Sequence, residues 1–171
     1  MRLLYLDTET TGLKPYDQIV EIAIIDDDGL TVLDTLVQPL NLTSWREAER
    51  IHGITPDMTA SAPSMAELAP TIRAAVEGAH VVIYNAGYDL MFLGEHRASM
   101  GNVSCAMLAF AEYFNEWDEY RQSHRWQRLH VAAEHVGHVW DGAAHRARAD
   151  AHACRSVWRF LAEQPARAAR P

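Results

Sequence analysis

Short apolar runs separated by turn residues open the chain and predict a sheet. Residues 3–6 form a buried strand by composition, and residues 19–25 form a second that is rich in β-branched side chains. The acidic turn 26–29 separates this run from strand residues at 31–37, so the second and third strands are predicted to form a hairpin. Residues 80–84 predict a further strand.

Helix signals dominate the rest of the chain. The spacings Ser44–Glu47 and Ser64–Glu67 are typical of capping boxes, and Gly53 and Gly78 are placed to end the two helices that these boxes open. Further helices are predicted at 89–100, 106–114, 126–135 and 147–161. Strands followed by mixed strands and helices predict an α/β fold, with one mixed central β-sheet flanked by α-helices.

Composition narrows the class of protein. A chain of 171 residues with 49% hydrophobic residues suits one domain with a real core. Its formal net charge of −8 argues against a protein that coats long duplexes by neutralising phosphates. It does not exclude a nucleic-acid enzyme, because a carboxylate site gains positive charge when it binds divalent cations.

The expected setting is the cytoplasm, with no membrane partner. Cys105 and Cys154 are not part of a Cys-x-x-Cys pair, and two buried thiols are preferred over a disulfide. The apolar stretch at the N-terminus is too short for a signal peptide or a membrane span. The expected organisation is one functional domain, residues 1–163, followed by a flexible C-terminal tail, residues 164–171.

Two acidic residues follow the first predicted strand. Asp7 and Glu9 are two positions apart, so on a strand they project to the same side. Two adjacent carboxylates suit Mg²⁺ or Mn²⁺, which prefer oxygen ligands. Taken alone, the pattern fits a solvated strand end equally well.

A second motif with an acidic residue lies directly after the strand predicted at 80–84. The sequence Asn85-Ala-Gly-Tyr-Asp89 follows it directly, and Asp89 is predicted to open a helix, where the helix dipole favours a carboxylate. That structural role alone would explain Asp89. The end of an interior strand is also where an α/β sheet builds its site, which favours a functional role.

The third motif joins a loop histidine to a helical aspartate. A spacing of five does not place His145 and Asp150 on one helical face, so His145 is predicted in the loop before the last helix. Asp150, Cys154, Val157, Trp158 and Leu161 form the inward stripe of that helix. A buried Asp150 would be costly without compensation, which a metal would supply, whereas His145 alone is one of nine histidines.

In this order the three motifs resemble the DnaQ-like 3′–5′ exonucleases, in the histidine-containing DEDDh branch of the DEDD superfamily. The likeness rests on Asp-x-Glu with Thr-Thr-Gly, on Asn-x-x-x-Asp and on His-x-Ala-x-x-Asp, and also on the segment Ile-His-Gly-Ile-Thr at 51–55. It extends from Tyr5 to about Trp158. The family includes the proofreading epsilon subunit of DNA polymerase III and small stand-alone exonucleases, and it implies a ribonuclease H-like fold.

The resemblance implies a metal-dependent hydrolase. Asp7, Glu9, Asp89 and Asp150 would hold two divalent ions, Mg²⁺ or Mn²⁺, which grip the scissile phosphate. His145 would act as the general base toward the attacking water. The expected product is a nucleoside 5′-monophosphate.

Residues near these motifs are expected to bind the end of the substrate. The candidates are Thr10, Thr11, Gly12, Leu13, Asn85 and Tyr88. Basic and aromatic residues are also interleaved before the third motif and flank it, which is typical of a guide for a single strand. These residues are Arg121, Arg125, Arg128, Trp117, Tyr120 and Trp126, with Arg146 and Arg148 beside the motif. A solvated helix face is the preferred interpretation of this cluster.

The expected partner is a nucleic-acid 3′ end, single-stranded and of DNA. The alternatives are an exoribonuclease that trims RNA 3′ ends, because no reader of the 2′-hydroxyl is visible in the sequence, and a proofreading subunit bound to a polymerase. A third alternative is a relative that binds nucleic acid without cleaving it. The presence of all five candidate catalytic residues argues against this alternative. The sequence leaves monomer and homodimer equally open.

Overall fold

The computed structural model describes residues 1–142 and 144–165. The strands are β1 (Leu3–Thr10), β2 (Ile19–Asp26), β3 (Thr31–Leu36), β4 (His80–Ile83), β5 (Asn102–Cys105), β6 (Trp117–Asp118) and β7 (Ser123–His124). The helices are α1 (Arg46–His52), α2 (Pro56–Thr59), α3 (Met65–Val76), α4 (Ala86–Leu93), α5 (Ala106–Phe114), α6 (Leu129–His135) and α7 (Ala147–Glu163). A short 3₁₀ helix, Gly94–Ser99, follows α4.

Five strands form one mixed sheet in the order β3-β2-β1-β4-β5. The predicted hairpin is present, since β2 pairs antiparallel with both β1 and β3, while β1, β4 and β5 run parallel. The strands β6 and β7 form a separate small hairpin. The predicted α/β architecture with a mixed central sheet is therefore confirmed.

The two faces of the sheet carry separate apolar cores. One face packs against α3 and α4, and its buried residues include Leu4, Leu6, Ile22, Ile24, Ile72, Val76 and Leu93. The other packs against α5, α6 and α7, and its buried residues include Tyr5, Ile25, Val82, Phe110, Ala151, Cys154 and Val157. The strand β1 lies near the middle of the sheet, so its side chains contribute to both cores.

Several predicted boundaries are wrong for identifiable reasons. The strand β1 continues past Leu6 to Thr10, because backbone pairing with β2 extends it through the acidic positions. The capping box at Ser44 does not form; the N-cap of α1 is Trp45, without a side-chain bond. The helix predicted at 89–100 begins instead at Ala86, and Gly94, at φ 53°, ends its α-helical part.

Other predictions agree closely with the structure. The capping box of Ser64 and Glu67 is present at the start of α3, and α5 has the predicted bounds. The last helix runs two residues beyond the predicted end, to Glu163. The predicted tail includes residues 166–171, which lie outside the described residues, so the domain boundary stays a prediction. Within the described part of the chain, no helix is long and apolar enough to cross a membrane.

Candidate active site

The face of β1 that is covered by α7 changes from apolar to acidic along the strand. Buried Tyr5 is followed on this face by Asp7 and then Glu9, because successive strand residues alternate between faces. On the neighbouring strand, Glu21 lies directly opposite Glu9. The expected common orientation of Asp7 and Glu9 is observed, and a third carboxylate, which was not expected, lies beside them.

The last helix adds Asp150 to this face. Small buried side chains on α7, among them Ala147, Ala151 and Cys154, let the helix lie close to β1 and β2. Asp150 stands in the first turn of α7 and so meets the acidic end of β1. Carboxylate oxygens of Asp7, Glu9 and Asp150 lie within 4.8 Å of one another.

The fourth predicted carboxylate approaches β1 from α4. Asp89 is only 4% exposed, and one of its oxygens accepts hydrogen bonds from the Thr8 amide at 3.1 Å and the Thr8 hydroxyl at 2.7 Å. The start of α4 at Ala86 places Asp89 in its first turn rather than at its N-cap. Asp89 therefore borders the trio of Asp7, Glu9 and Asp150 while one of its oxygens is held by β1.

Burial raises the pKa values of all four carboxyl groups. Burial raises the pKa of Asp7 well above its usual range, with further contributions from the charges of Asp89 and Asp150. Burial and then the charge of Asp150 raise the pKa of Glu9 to about 8. Burial raises the pKa of Asp89 to about 7 and that of Asp150 to about 6, although hydrogen bonds from Thr8 and from the His145 amide act in the opposite direction. Full ionisation of the cluster near neutral pH therefore needs a compensating cation.

A divalent metal ion fits this cluster. All of the clustered donors are carboxylate oxygens, which are the ligands that Mg²⁺ and Mn²⁺ prefer. The guanidinium of Arg146 lies near Glu9 but is bound to Glu21, at distances down to 2.5 Å. Since Arg146 is already paired, the negative charge of Asp7, Glu9 and Asp150 is left for a metal to balance.

His145 lies in the loop before α7, as predicted. Its backbone has φ 62°, a left-handed conformation that is uncommon for a residue other than glycine and is often found at functional sites. Its amide donates to the carboxylate of Asp150 at 3.2 Å. The side chain is exposed and lines a cleft of about 400 Å³ together with Asp150 and Asn85.

The six predicted substrate-binding residues meet in one place. A second cleft of about 600 Å³, bordered by Glu9, is lined by all of them: Thr10, Thr11, Gly12, Leu13, Asn85 and Tyr88. The Tyr88 and Thr10 hydroxyls lie 2.5 Å apart, and both reach the carbonyl of Gly12. These bonds fix the wall of the cleft, while exposed Leu13 offers an apolar surface.

Two parts of the site were not identified from the sequence. The buried imidazole of His52 accepts a hydrogen bond from the Ile54 amide at 2.9 Å and lies 3.2 Å from the Thr10 carbonyl, so it supports the 600 Å³ cleft. The second part is the ion pair of Glu21 and Arg146. Glu21 interrupts an apolar run on a buried strand, which is a sequence signal for a buried charge with a partner.

The basic and aromatic cluster is only partly available to a ligand. Arg125 pairs with Glu116 and Asp118, and Arg148 pairs with Asp34, which supports the preferred interpretation of a solvated surface for these arginines. The others are placed differently: Arg128 lines the 400 Å³ cleft with Trp126 and makes no ion pair within the described residues, whereas Arg121 and Tyr120 lie exposed beyond β6.

Comparison with known proteins identifies the family. Residues 4–157 match the family profile described as Exonuclease. The chain belongs to this exonuclease family. It is 36% identical over 159 residues to "Uncharacterized exonuclease CP81" of Escherichia phage 186, covering 86% of this chain and 81% of that protein.

One longer relative matches this chain over a small part of its own length. The chain is 38% identical over 108 residues to the "DNA polymerase III subunit epsilon-like protein" of Rhodobacter capsulatus, which covers 59% of the chain but 15% of that protein. Among solved structures, "Exonuclease X in complex with 5′ overhanging duplex DNA" has the same fold, with a TM-score of 0.71, 24% identity and coverage of 93% of this chain and 90% of that one. The predictions of a DnaQ-like exonuclease and of a ribonuclease H-like fold are thereby confirmed.

Proposed function

We propose that this exonuclease removes nucleotides one at a time from the 3′ end of single-stranded DNA and releases nucleoside 5′-monophosphates. The observation that carries the proposal is the cluster of Asp7, Glu9 and Asp150, with Asp89 and His145 beside it, in a chain of the exonuclease family. DNA is favoured as substrate because the structural neighbour Exonuclease X is described in complex with 5′ overhanging duplex DNA. A single strand is favoured because another structural neighbour is described as an ExoI-ssDNA complex of E. coli.

The carboxylates would hold two divalent ions, Mg²⁺ or Mn²⁺, with Asp7, Glu9 and Asp150 as the central ligands and Asp89 at the border. Bound metal ions would supply charge to stabilise the attacking and leaving oxygens of the phosphodiester. Thr8 holds one oxygen of Asp89 toward β1, which limits how that carboxylate can turn. Partial burial of the cluster limits how far water screens these charges.

His145 would accept the proton from the water whose oxygen attacks the phosphorus. The bond from phosphorus to the 3′-oxygen would then break. That oxygen would take a proton from a water molecule, which leaves a 3′-hydroxyl on the shortened strand and a 5′-phosphate on the released nucleotide. An imidazole suits a proton acceptor that works near neutral pH. The exposed ring of His145 borders the cleft that also contains Asp150.

Two clefts meet at the carboxylates and would hold successive nucleotides. The cleft lined by Thr11, Leu13 and Tyr88 is placed to receive the terminal nucleotide, with an apolar side for the base. The cleft lined by Trp126 and Arg128 is placed to receive the preceding one, because an indole can stack on a base and a free guanidinium can bind a phosphate. Both clefts include Asn85, which therefore stands between the two nucleotides.

A role in proofreading beside a polymerase is a second candidate, because one relative is named epsilon-like. The same hydrolysis would then serve a polymerase partner.

The cytoplasm is the proposed location, in agreement with the two free thiols of Cys105 and Cys154.

The test is digestion of a 5′-labelled single-stranded DNA oligonucleotide in Mg²⁺, in Mn²⁺ and in EDTA, beside an RNA of the same sequence and a duplex. We expect a metal-dependent ladder that shortens from the 3′ end, fastest on single-stranded DNA. Asp150→Asn should be inactive, whereas Asp57→Asn, which removes a carboxylate from the exposed surface of α2, should match the wild type. Faster digestion of RNA, or a ladder that persists in EDTA, would contradict the proposal.

A further inference from the structure

Glu21 is a buried carboxylate in the middle of an apolar strand. It is 3% exposed, lies between Val20 and Ile22, and projects to the α7 face opposite Glu9. A carboxylate in such a place is costly unless it is paired and hydrogen-bonded. Its partners therefore indicate what the residue does.

Four hydrogen bonds tie Glu21 to the start of α7. Arg146 donates from Nε to both carboxylate oxygens at 3.1 Å and from Nη2 to Oε1 at 2.5 Å. The amide of Ala147, the first residue of α7, donates to Oε2 at 2.8 Å. A forked guanidinium bond with an added amide bond fixes direction as well as distance. Glu21 thus holds two consecutive residues of α7 against β2.

His145 immediately precedes these two residues. Its side chain is exposed, so packing does little to hold it, and its backbone has the left-handed φ of 62°. On one side the Asp150 carboxylate accepts its amide at 3.2 Å, and on the other side Arg146 is anchored on Glu21. The backbone that carries the imidazole is therefore held at both ends by carboxylates.

We propose that Glu21 and Arg146 are positioning residues that hold the His145 imidazole in the geometry needed for proton transfer. This inference rests on the proposed function, in which His145 is the base. The neighbouring pair of Arg148 and Asp34 is the natural comparison, since it also joins the first turn of α7 to the sheet. The carboxylate of that pair is far more exposed, at 35% for the Asp34 side chain against 4% for Glu21, and the pair makes no bond to the backbone beside His145 within the described residues.

The first test observes the imidazole directly by NMR in the metal-free protein. The C–H resonances of His145 are assigned by their loss in His145→Ala. In Glu21→Gln and in Arg146→Lys, which keeps the charge but loses the fork, we expect these resonances to shift or broaden. In the matched control Arg148→Gln they should stay as in the wild type. Unchanged His145 resonances in both Glu21→Gln and Arg146→Lys would overturn the inference, whether or not the protein digests DNA.

The second test is a double-mutant cycle under single-turnover conditions, with substrate in the saturating range. We expect Glu21→Gln to lower the rate about 10–100-fold in the wild type, because a small displacement of a catalytic group is costly. In a His145→Ala background the same change should lower it less than about threefold, since the base is already gone. KM, and Mn²⁺ affinity measured by calorimetry, should change less than about threefold.

The opposite outcomes of the cycle are equally clear. Equal losses from Glu21→Gln in both backgrounds, or a loss from Arg148→Gln as large as that from Glu21→Gln, would overturn the positioning role. A fall in Mn²⁺ affinity large enough to account for the slower rate would assign Glu21 to the metal site and would also overturn it. Failure of the proposed function is seen separately, as a wild-type protein that makes no metal-dependent ladder.

Discussion

The two faces of β1 bury very different side chains. Toward α3 the strand presents Leu4 and Leu6, both fully buried in an apolar core. Toward α7 it presents Asp7 and Glu9, which meet Asp150 within 4.8 Å. Burial of the first face stabilises the fold because it removes apolar surface from water. The second face opposes folding when it is ionised, because it holds like charges together under partial burial.

The difference teaches that one strand can separate stability from chemistry by its alternation alone. The apolar face does not depend on metal, and α3 holds it with Ile72 and Val76. The acidic face raises the pKa of Glu9 to about 8 and depends on a cation for full ionisation. Mutations on the two faces should therefore move different measurements.

The largest expected effect is on activity, from Asp7→Asn. This change keeps the shape of the side chain but removes a carboxylate that we propose as a central metal ligand, so we expect exonuclease turnover to fall by about 10³-fold or more. The metal-free protein should be at least as stable as the wild type, because burial and the charges of Asp89 and Asp150 disfavour the ionised form of Asp7, a form that asparagine does not adopt. Turnover is measured on labelled DNA, and stability by urea unfolding in EDTA. A folded variant with wild-type turnover would remove Asp7 from the site.

The converse change is Ile72→Ala in the core on the α3 face. Ile72 is fully buried, and its truncation should lower the free energy of unfolding by about 2–5 kcal/mol. Turnover per folded molecule should stay within about threefold of the wild type below the unfolding transition, since Ile72 lies on the face away from Asp7. Urea unfolding and single-turnover digestion measure the two quantities. A large loss of turnover in the folded state would show that the faces are coupled.

The third prediction concerns pH in the absence of metal. In the folded state the pKa of Glu9 is raised to about 8 and that of Asp89 to about 7. At pH values between the usual pKa range of a carboxyl group and these raised values, the folded protein therefore binds more protons than the unfolded chain. Stability is therefore full below the usual carboxyl range, falls as pH rises from there, and stops falling once pH has passed about 7 for Asp89 and about 8 for Glu9. From about pH 6.5 to about pH 8.5 we expect a loss on the order of 1–3 kcal/mol in EDTA.

Saturating Mn²⁺ should remove most of that loss, because the cation balances the ionised cluster. Burial lowers the pKa of His52, His138 and His152 from the usual value of about 6.5, so their titration raises stability as pH rises and this opposing effect fades near the lower edge of the window. Thermal unfolding in EDTA and in Mn²⁺ across this window is the measurement. Stability in EDTA that is flat or rises with pH would contradict the electrostatic account of the acidic face.

Local sequence patterns predicted what depends on local physics. The alternation of Asp7 and Glu9, the capping box at Ser64 and the bounds of α5 all follow from neighbours in the chain. The length of β1 does not, because its last residues are held as a strand by pairing with β2. The start of α4 was also missed: the chain turns at Asn85 before Asp89 is reached.

The residues of the candidate site could be named from the sequence, but the contacts that support them could not. The acidic motifs and His145 stand out because their chemistry needs those residue types. The partner of Glu21 lies 125 residues away, so the ion pair with Arg146 depends on how α7 packs across β2. Sequence patterns therefore favour a solvated helix face for Arg146, with a guide for the substrate as the alternative, whereas its guanidinium is bound to a buried carboxylate.

The smallest expected effect compares two serines with the same sequence signal. The Ser64 side chain accepts from the Glu67 amide at 3.3 Å, and the Ser64 amide donates to the Glu67 carboxylate at 2.8 Å. Ser64→Ala should therefore lower the free energy of unfolding by about 1 kcal/mol. Ser44 precedes the N-cap of α1 and makes no capping bond there, so Ser44→Ala should stay within about 0.5 kcal/mol of the wild type. The midpoint of urea unfolding gives the free energy of unfolding of each variant, provided that the dependence of this free energy on urea concentration is the same as in the wild type. Turnover should be unchanged in both variants. Because α3 covers the apolar face, a loss of turnover in Ser64→Ala without unfolding would mean that the helix on one face sets the geometry of the other. Equal losses of stability in the two variants would mean that the bonds at Ser64 are not what stabilises the start of α3.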